Sequence, residues 1–254
     1  MSRSNPNEEL SNPCKTWFQW DGGDGQGFKV YNKETKKNVI TPLPLKFLVL
    51  DRLTTVTGYN EPEAIGYYSN EVRSLKDTLI VRSKNGIEGQ GTWEEIKAKL
   101  GVKGASYCQS VYIMYYKDKQ PTLGNIKMTG ASLENWFTFC KANKIMEIGV
   151  SVDSTNEKKK GKVVYFEPVF KAMKITEASN NFAIEMDKEL QAYLTAYLTR
   201  NATTVEQPKT EEKVAETAQN TASKADLPWE GKDEPNIQEA QIVTNADDST
   251  DPPF

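Results

Sequence analysis

Aromatic residues stand beside lysines and arginines at several places in this chain, in stretches that read as strands. They are Lys29-Val30-Tyr31-Asn32-Lys33, Tyr67-Tyr68-Ser69-Asn70 ahead of Arg73, and Tyr112 through Lys119, with Arg82-Ser83-Lys84 a further cationic strand end. Flat rings can stack on unpaired nucleobases while neighbouring cations follow the phosphates, and each stacked base contributes roughly 1–3 kcal/mol whatever its identity. Rings also fill β-sheet cores, because they bury large areas. Strand alternation separates the two uses. Val111, Ile113 and Tyr115 share one face, and Tyr112, Met114 and Tyr116 share the other. The more aliphatic set reads as core. Tyr112 and Tyr116 are therefore the expected stacking residues, followed by Tyr31, Tyr67 and Trp20. Arg73, Arg82, Lys117 and Lys127 are the expected phosphate contacts.

Other chemistries find little support. The chain has no histidine, which removes His general bases, His-activated nucleophiles and His metal ligands. Its three cysteines, Cys14, Cys108 and Cys140, lack the close pairing of a zinc site, and no disulfide framework is expected. No catalytic residue, metal or cofactor is expected. Asp21-Gly22-Gly23-Asp24-Gly25-Gln26-Gly27 has glycine spacing suited to a phosphate, but no Lys-Ser/Thr follows it, so it reads as a mobile loop. Lys158-Lys159-Lys160 reads as a solvated turn, with phosphate contact as the alternative.

The elements that would position these residues are mainly strands. Strand signals cover Phe28 to Tyr31, Leu45 to Thr57, Ile65 to Val72 and Thr78 to Ser83. Two hairpins follow. Ser110 to Lys117 pairs with Thr122 to Met128, and Ile145 to Val152 pairs with Lys162 to Phe170 across a polar turn at Asn156 to Gly161. Three helices are predicted. One opens on the Thr92–Glu95 capping box, one spans Ser132 to Asn143 with Leu133, Trp136, Phe137 and Cys140 on one face, and one spans Asn181 to Leu198. The fold expected is α+β, mainly β with helices: an OB-fold-like five-stranded Greek-key barrel with elaborations and a C-terminal helix. A mixed fold of another kind stays open.

Charge divides the chain. Four of its 32 Lys and Arg and twelve of its 35 Asp and Glu fall after residue 200. The last 54 residues therefore carry −8, and residues 1–200 carry +5. That tail holds only two aromatics, Trp229 and Phe254, and cannot bury enough surface to offset its entropy, so 201–254 is expected to be disordered. Residues 1–14 read as a flexible N-terminus and 15–200 as the binding domain. Asp226-Leu227-Pro228-Trp229-Glu230 is an apolar island that could dock a partner. There is no secretory h-region and no run of 18 apolar residues, so a cytoplasmic protein is expected.

The tail ends in Asp247-Asp248-Ser249-Thr250-Asp251-Pro252-Pro253-Phe254. This tip resembles the acidic, Pro-Phe-ending tips of bacterial and phage single-stranded DNA-binding proteins. The stretches Trp17 to Gly23, Leu45 to Asp51 and Tyr68 to Arg73 resemble phage-encoded members of that group. The resemblance implies a non-enzymatic protein that coats single-stranded DNA in replication, recombination and repair. It also implies that a polymerase, helicase or nuclease is recruited through Asp247, Asp248, Asp251, Pro252, Pro253 and Phe254, in a bacterial cytoplasm. The body is longer than the usual single small domain, which puts the usual tetramer in doubt. Two other classes stay open: a virion or scaffold interaction protein that binds no DNA, and a metal-dependent nuclease.

Overall fold

The computed structural model describes residues 11–205, and side chains as far as residue 200. In chain order the elements are β1 (Thr16–Asp21), β2 (Gly27–Asn32), β3 (Lys37–Thr41), β4 (Leu45–Asn60), β5 (Ile65–Ser69), β6 (Leu79–Ser83), β7 (Gly86–Gly91), α1 (Trp93–Gly101), β8 (Ala105–Lys117), β9 (Gln120–Met128), α2 (Gly130–Ala142), β10 (Gly149–Lys160), β11 (Val163–Met173) and α3 (Glu177–Val205). The fold is mainly β with three helices among the described residues, an α+β arrangement ending in a helix.

β4 organises the sheet. It is 16 residues long, and β8 pairs with it along almost its whole length. Its other side is shared: β10 takes Leu45 to Leu48, and β5 takes Thr57 to Asn60. The register slips between Val49 and Asp51, where one extra residue bends the strand and lets one β-run serve two neighbours. At its far end β4 runs against the turn before β8, and a Cβ on Gly58 would stand 2.3 Å from the Gly104 carbonyl oxygen. From β8 the order continues through β9 to β1, which runs parallel to β9, and then to β2 and β3. The sheet stays open between β1 and β11. Two hydrogen bonds cross the gap: Phe166 N–H donates to the Gly22 oxygen at 2.7 Å, and the Trp20 indole donates to the Phe166 oxygen at 2.8 Å.

The largest core lies inside this curl. Phe18, Phe28, Phe47, Ile113, Ile126, Val150 and Val152 meet there. Trp136 of α2 is buried among them and donates to Gln109 Oε1 at 2.6 Å, which settles the only polar atom the ring carries. α2 starts two residues earlier than the sequence suggested, because Thr129 and Ser132 form the cap; Phe139, not Phe137, turns inward, and Phe137 packs on Tyr107. A second core joins the end of β4 to β5, β6 and α1 through Val56, Leu79, Val81, Ile96 and Leu100. The Thr92–Glu95 capping box opens α1 as expected.

α3 is longer than its sequence pattern. Thr176 caps it by accepting from Ser179 N–H at 3.2 Å, one turn ahead of the first apolar anchor, and the helix runs five residues into the stretch read as tail. Leu190 and Leu194 bury against Leu53, Tyr112 and Leu123, while Ala183 and Met186 cover Leu48 and Met114. The outer face of β4 and β8 is thus a core under a helix. Cys14 is buried in the same cluster, and residues 1–10 of the stretch read as a flexible N-terminus lie outside the described residues.

Candidate nucleic-acid interface

Beside α3 runs an open groove of about 1760 Å³. It is bounded by β1, β2 and β3, by the β8–β9 turn, by β4 and β5, and by Tyr193 and Tyr197 of α3. Small-molecule clefts hold roughly 300–1,000 Å³, so this groove suits a polymer better than a metabolite. Six lysines line it, Lys15, Lys29, Lys33, Lys46, Lys117 and Lys127, against three carboxylates, Glu34, Glu71 and Asp118. Lys15, Lys33, Lys46 and Lys117 are exposed and make no ion pair among the described residues. Lys29 pairs with Asp21 at 3.3 Å.

Three exposed rings stand in the groove: Trp17, Tyr59 and Tyr116. Trp17 sits on β1, where alternation sends Phe18 into the core and Trp17 and Gln19 outward. Tyr59 lies in the last turn-ward residues of β4, two positions beyond the strand expected from sequence. Tyr116 is 46% exposed, and its hydroxyl meets Ser179 Oγ at 3.0 Å. It lies where the β8–β9 hairpin turns through Asp118 and Lys119, both at positive φ, the pattern of a I′ turn.

The other expected residues sort themselves differently. Tyr31 and Lys117 line the groove. Tyr67 borders it but is 3% exposed and buried in the second core. Tyr112 is 3% exposed beneath α3, so its ring meets no base while the helix is in place. The alternation rule assigned it to the correct face, but that face is covered by an element too distant in sequence to be foreseen. Trp20 packs edge-on against Phe28, with ring centroids 5.1 Å apart, and belongs to the main core. Arg82 on β6 and Arg73 lie outside the groove. Arg73 is held by Asp51 at 2.7 Å and by Gln191 of α3 at 3.2 Å. Asp247, Asp248, Asp251, Pro252, Pro253 and Phe254 lie outside the described residues, as does Trp229.

At the floor of the groove a polar cluster ties three elements together. Lys127 of β9 donates to Glu71 Oε1 at 2.5 Å, Tyr112 of β8 donates to Glu71 Oε2 at 2.5 Å, and Glu71 N–H donates to Tyr197 Oη of α3 at 2.9 Å. Burial works to raise the Glu71 pKa. The Lys127 charge and hydrogen bonds from Lys127, Tyr112 and Ser110 outweigh it, so the carboxyl sits below its usual range. Burial works to lower Lys127, and the facing Glu71 carboxylate more than reverses this, so the ammonium is raised. Burial, then the Glu71 charge and hydrogen bond, push Tyr112 up, so it stays a neutral donor. Asp51 follows the same logic: burial opposes its ionised form, and Arg73, Gln191 and the Arg52 backbone restore it and lower its pKa.

Lys127 is thus fixed in an ion pair, whereas the sequence placed it on phosphate. Trp17, Tyr59, Lys15 and Lys46 were not among the expected contacts, and Lys33 stood in the Lys29–Lys33 stretch without being singled out; the in–out alternation of Trp17-Phe18-Gln19-Trp20 carried the signal for the first. Among the described residues no group of three His, Cys, Asp or Glu gathers to hold a metal, and no helix is long and apolar enough to cross a membrane. Compared with family models, curated proteins and solved structures, the chain matches none.

Proposed function

We propose that this protein binds single-stranded DNA without base preference, and that it acts as a coat and recruiting platform without catalysing a reaction. The observation that carries the reading is the groove, a polymer-sized channel lined by exposed Trp17, Tyr59 and Tyr116 and by four lysines with no ion pair among the described residues. Stacking surfaces and a cationic track are the two requirements of a sequence-independent single-strand site. The fold supports the same reading. β4, β8, β9, β1 and β10 form a curled, partly open set of five strands around one core, and we read this as an OB-like barrel with β5–β7 and α1 as an elaboration.

The acidic segment after residue 200 has the opposite sign to the body. Tethered at high effective concentration, it competes weakly with DNA for the lysines, and bound DNA frees Phe254 to dock on a replication or recombination enzyme. These are functions for a cytoplasmic protein of a cell or of an infecting phage.

Trp17 supplies the test. Adding oligo-dT should quench tryptophan fluorescence as bases stack, and most of the quench should vanish in the Trp17→Phe chain. Full-strength quenching with Trp17→Phe, or no response to oligo-dT at all, would remove the groove from the reading.

A further inference from the structure

β10 and β11 continue well past the sheet that anchors them. Gly149 to Val152 is held by β4, and Phe166 of β11 is held by Gly22 and the Trp20 indole, but from Lys158 to Tyr165 the two strands pair only with each other among the described residues. Their ladder runs to Lys160↔Val163 and closes through Gly161 and Lys162. Gly161 has φ +62°, the positive value a II′ turn requires at its first central position. The sequence read this stretch as a polar turn; it is a two-stranded ribbon that projects beyond its anchor at Phe166. Residues 156–164 are exposed throughout. A lone two-stranded ribbon is only marginally stable in water, so nothing in the fold itself requires it.

Its surface is specific. Lys158, Lys159, Lys160 and Lys162 stand with one carboxylate, Glu157, and none of the four makes an ion pair among the described residues. Cross-strand partners share a face, so Lys158 stands opposite Tyr165, Lys160 opposite Val163, and Lys159 opposite Val164. Val163 is 65% exposed and Val164 46%. Both faces thus combine cations with an apolar side chain at the tip. A two-stranded ribbon is the width that a DNA groove admits. Three residues of projecting strand span about 10 Å, or about three base pairs. Apolar side chains at such a tip can wedge between base steps while the lysines hold phosphates on either side.

We infer that the β10–β11 ribbon grips double-stranded DNA in a groove, so that the protein seats at junctions where a duplex gives way to a single strand. This rests on the single-strand reading for the adjoining channel but adds a duplex site of its own. The test measures anisotropy for a dT oligomer, a blunt duplex, and that duplex carrying the dT tail. It uses the full chain and a variant with Lys158→Gln, Lys159→Gln, Lys160→Gln and Lys162→Gln, which keeps side-chain length and exposure; urea unfolding checks its fold. The full chain should bind the tailed duplex at least about tenfold tighter than dT alone. The variant should lose that preference, keep its dT affinity within about twofold, and show a salt slope on the tailed duplex lower by about 0.9 per lysine engaged. Val163→Ser should weaken the junction preference without changing the slope.

Equal binding of tailed duplex and dT by the full chain would overturn the proposal. So would a parallel loss of dT affinity in the variant, which would make the ribbon part of the single-strand track. Binding to phosphatidylserine vesicles with none to duplex would overturn it in favour of a membrane. Loss of dT binding by the full chain, with duplex binding that the variant abolishes, would refute the single-strand reading and leave the ribbon site standing.

Discussion

Lys127 separates a structural role from a DNA-binding one. Its ammonium and the Glu71 carboxylate are 2.5 Å apart, and their side chains are 25% and 12% exposed. Removing one member of a buried pair strands the other, at about 3–5 kcal/mol. Partial exposure puts Lys127→Ala near the lower end, about 3 kcal/mol. Stability is about 5–15 kcal/mol for a domain, and each kcal/mol shifts the melting point of a body this size by about 2–4 °C, so the loss should read as about 6–12 °C. The double variant Glu71→Gln, Lys127→Met should recover most of it, because no charge is left unpaired. Urea and thermal unfolding followed by circular dichroism measure both, and an oligo-dT salt titration on folded protein measures the alternative. The titration slope should not change. A stability loss under about 1 kcal/mol, with the slope reduced by about 0.7, would mean that Lys127 leaves Glu71 for a phosphate, and the assignment of this pair would be refuted.

Tyr59→Ala and Tyr116→Ala should each weaken oligo-dT binding by about 1–3 kcal/mol with unchanged unfolding midpoints, whereas Tyr112→Ala should chiefly lower the midpoint, as equilibrium titration and urea melts will show. Glu71 and Asp51 have depressed pKa values, so their contribution is complete above the ordinary carboxylate range and is lost as pH falls below about 4; Lys127, being raised, contributes below its unfolded pKa and loses that contribution only in strong alkali. Thermal melts across pH should therefore fall on the acid side, and Asp51→Asn with Glu71→Gln should flatten that limb. Deleting the chain after Val205 should leave the unfolding midpoint unchanged and raise oligo-dT affinity at low salt, with the gain shrinking as ions screen the attraction; deleting Phe254 alone should leave DNA affinity unchanged and weaken capture of a purified polymerase or helicase.

Sequence patterns revealed the long strands, the two late hairpins and all three helices, because period-2 and period-3.6 apolar runs and the Thr92 cap are local signals. Three strands escaped. β3, as Lys37-Asn38-Val39-Ile40-Thr41, and β7, as Gly86-Ile87-Glu88-Gly89-Gln90-Gly91, are short, polar edge strands whose partners create them. β1 has its signal in Trp17 to Trp20 but pairs in parallel with β9, more than 100 residues away. The candidate site was half legible. Tyr31, Tyr116 and Lys117 were reachable from strand patterns, whereas the capture of Lys127 by Glu71 spans 56 residues of chain and the covering of Tyr112 by Leu190 and Leu194 spans 78 and 82. The ribbon was misread as a turn because Asn156 to Lys160 carries no apolar residue, and hydrogen bonding to Val163–Glu167 alone makes it a strand.

The central claim is that the groove takes a single strand. The most direct measurement is a paired titration of the full chain with oligo-dT and with duplex of equal length, each over a range of salt. Tighter binding to the single strand at every salt concentration, insensitive to base composition and with a log–log slope of about −0.7 per phosphate neutralised, is the predicted result. Equal or tighter binding to blunt duplex at the same salt would contradict it.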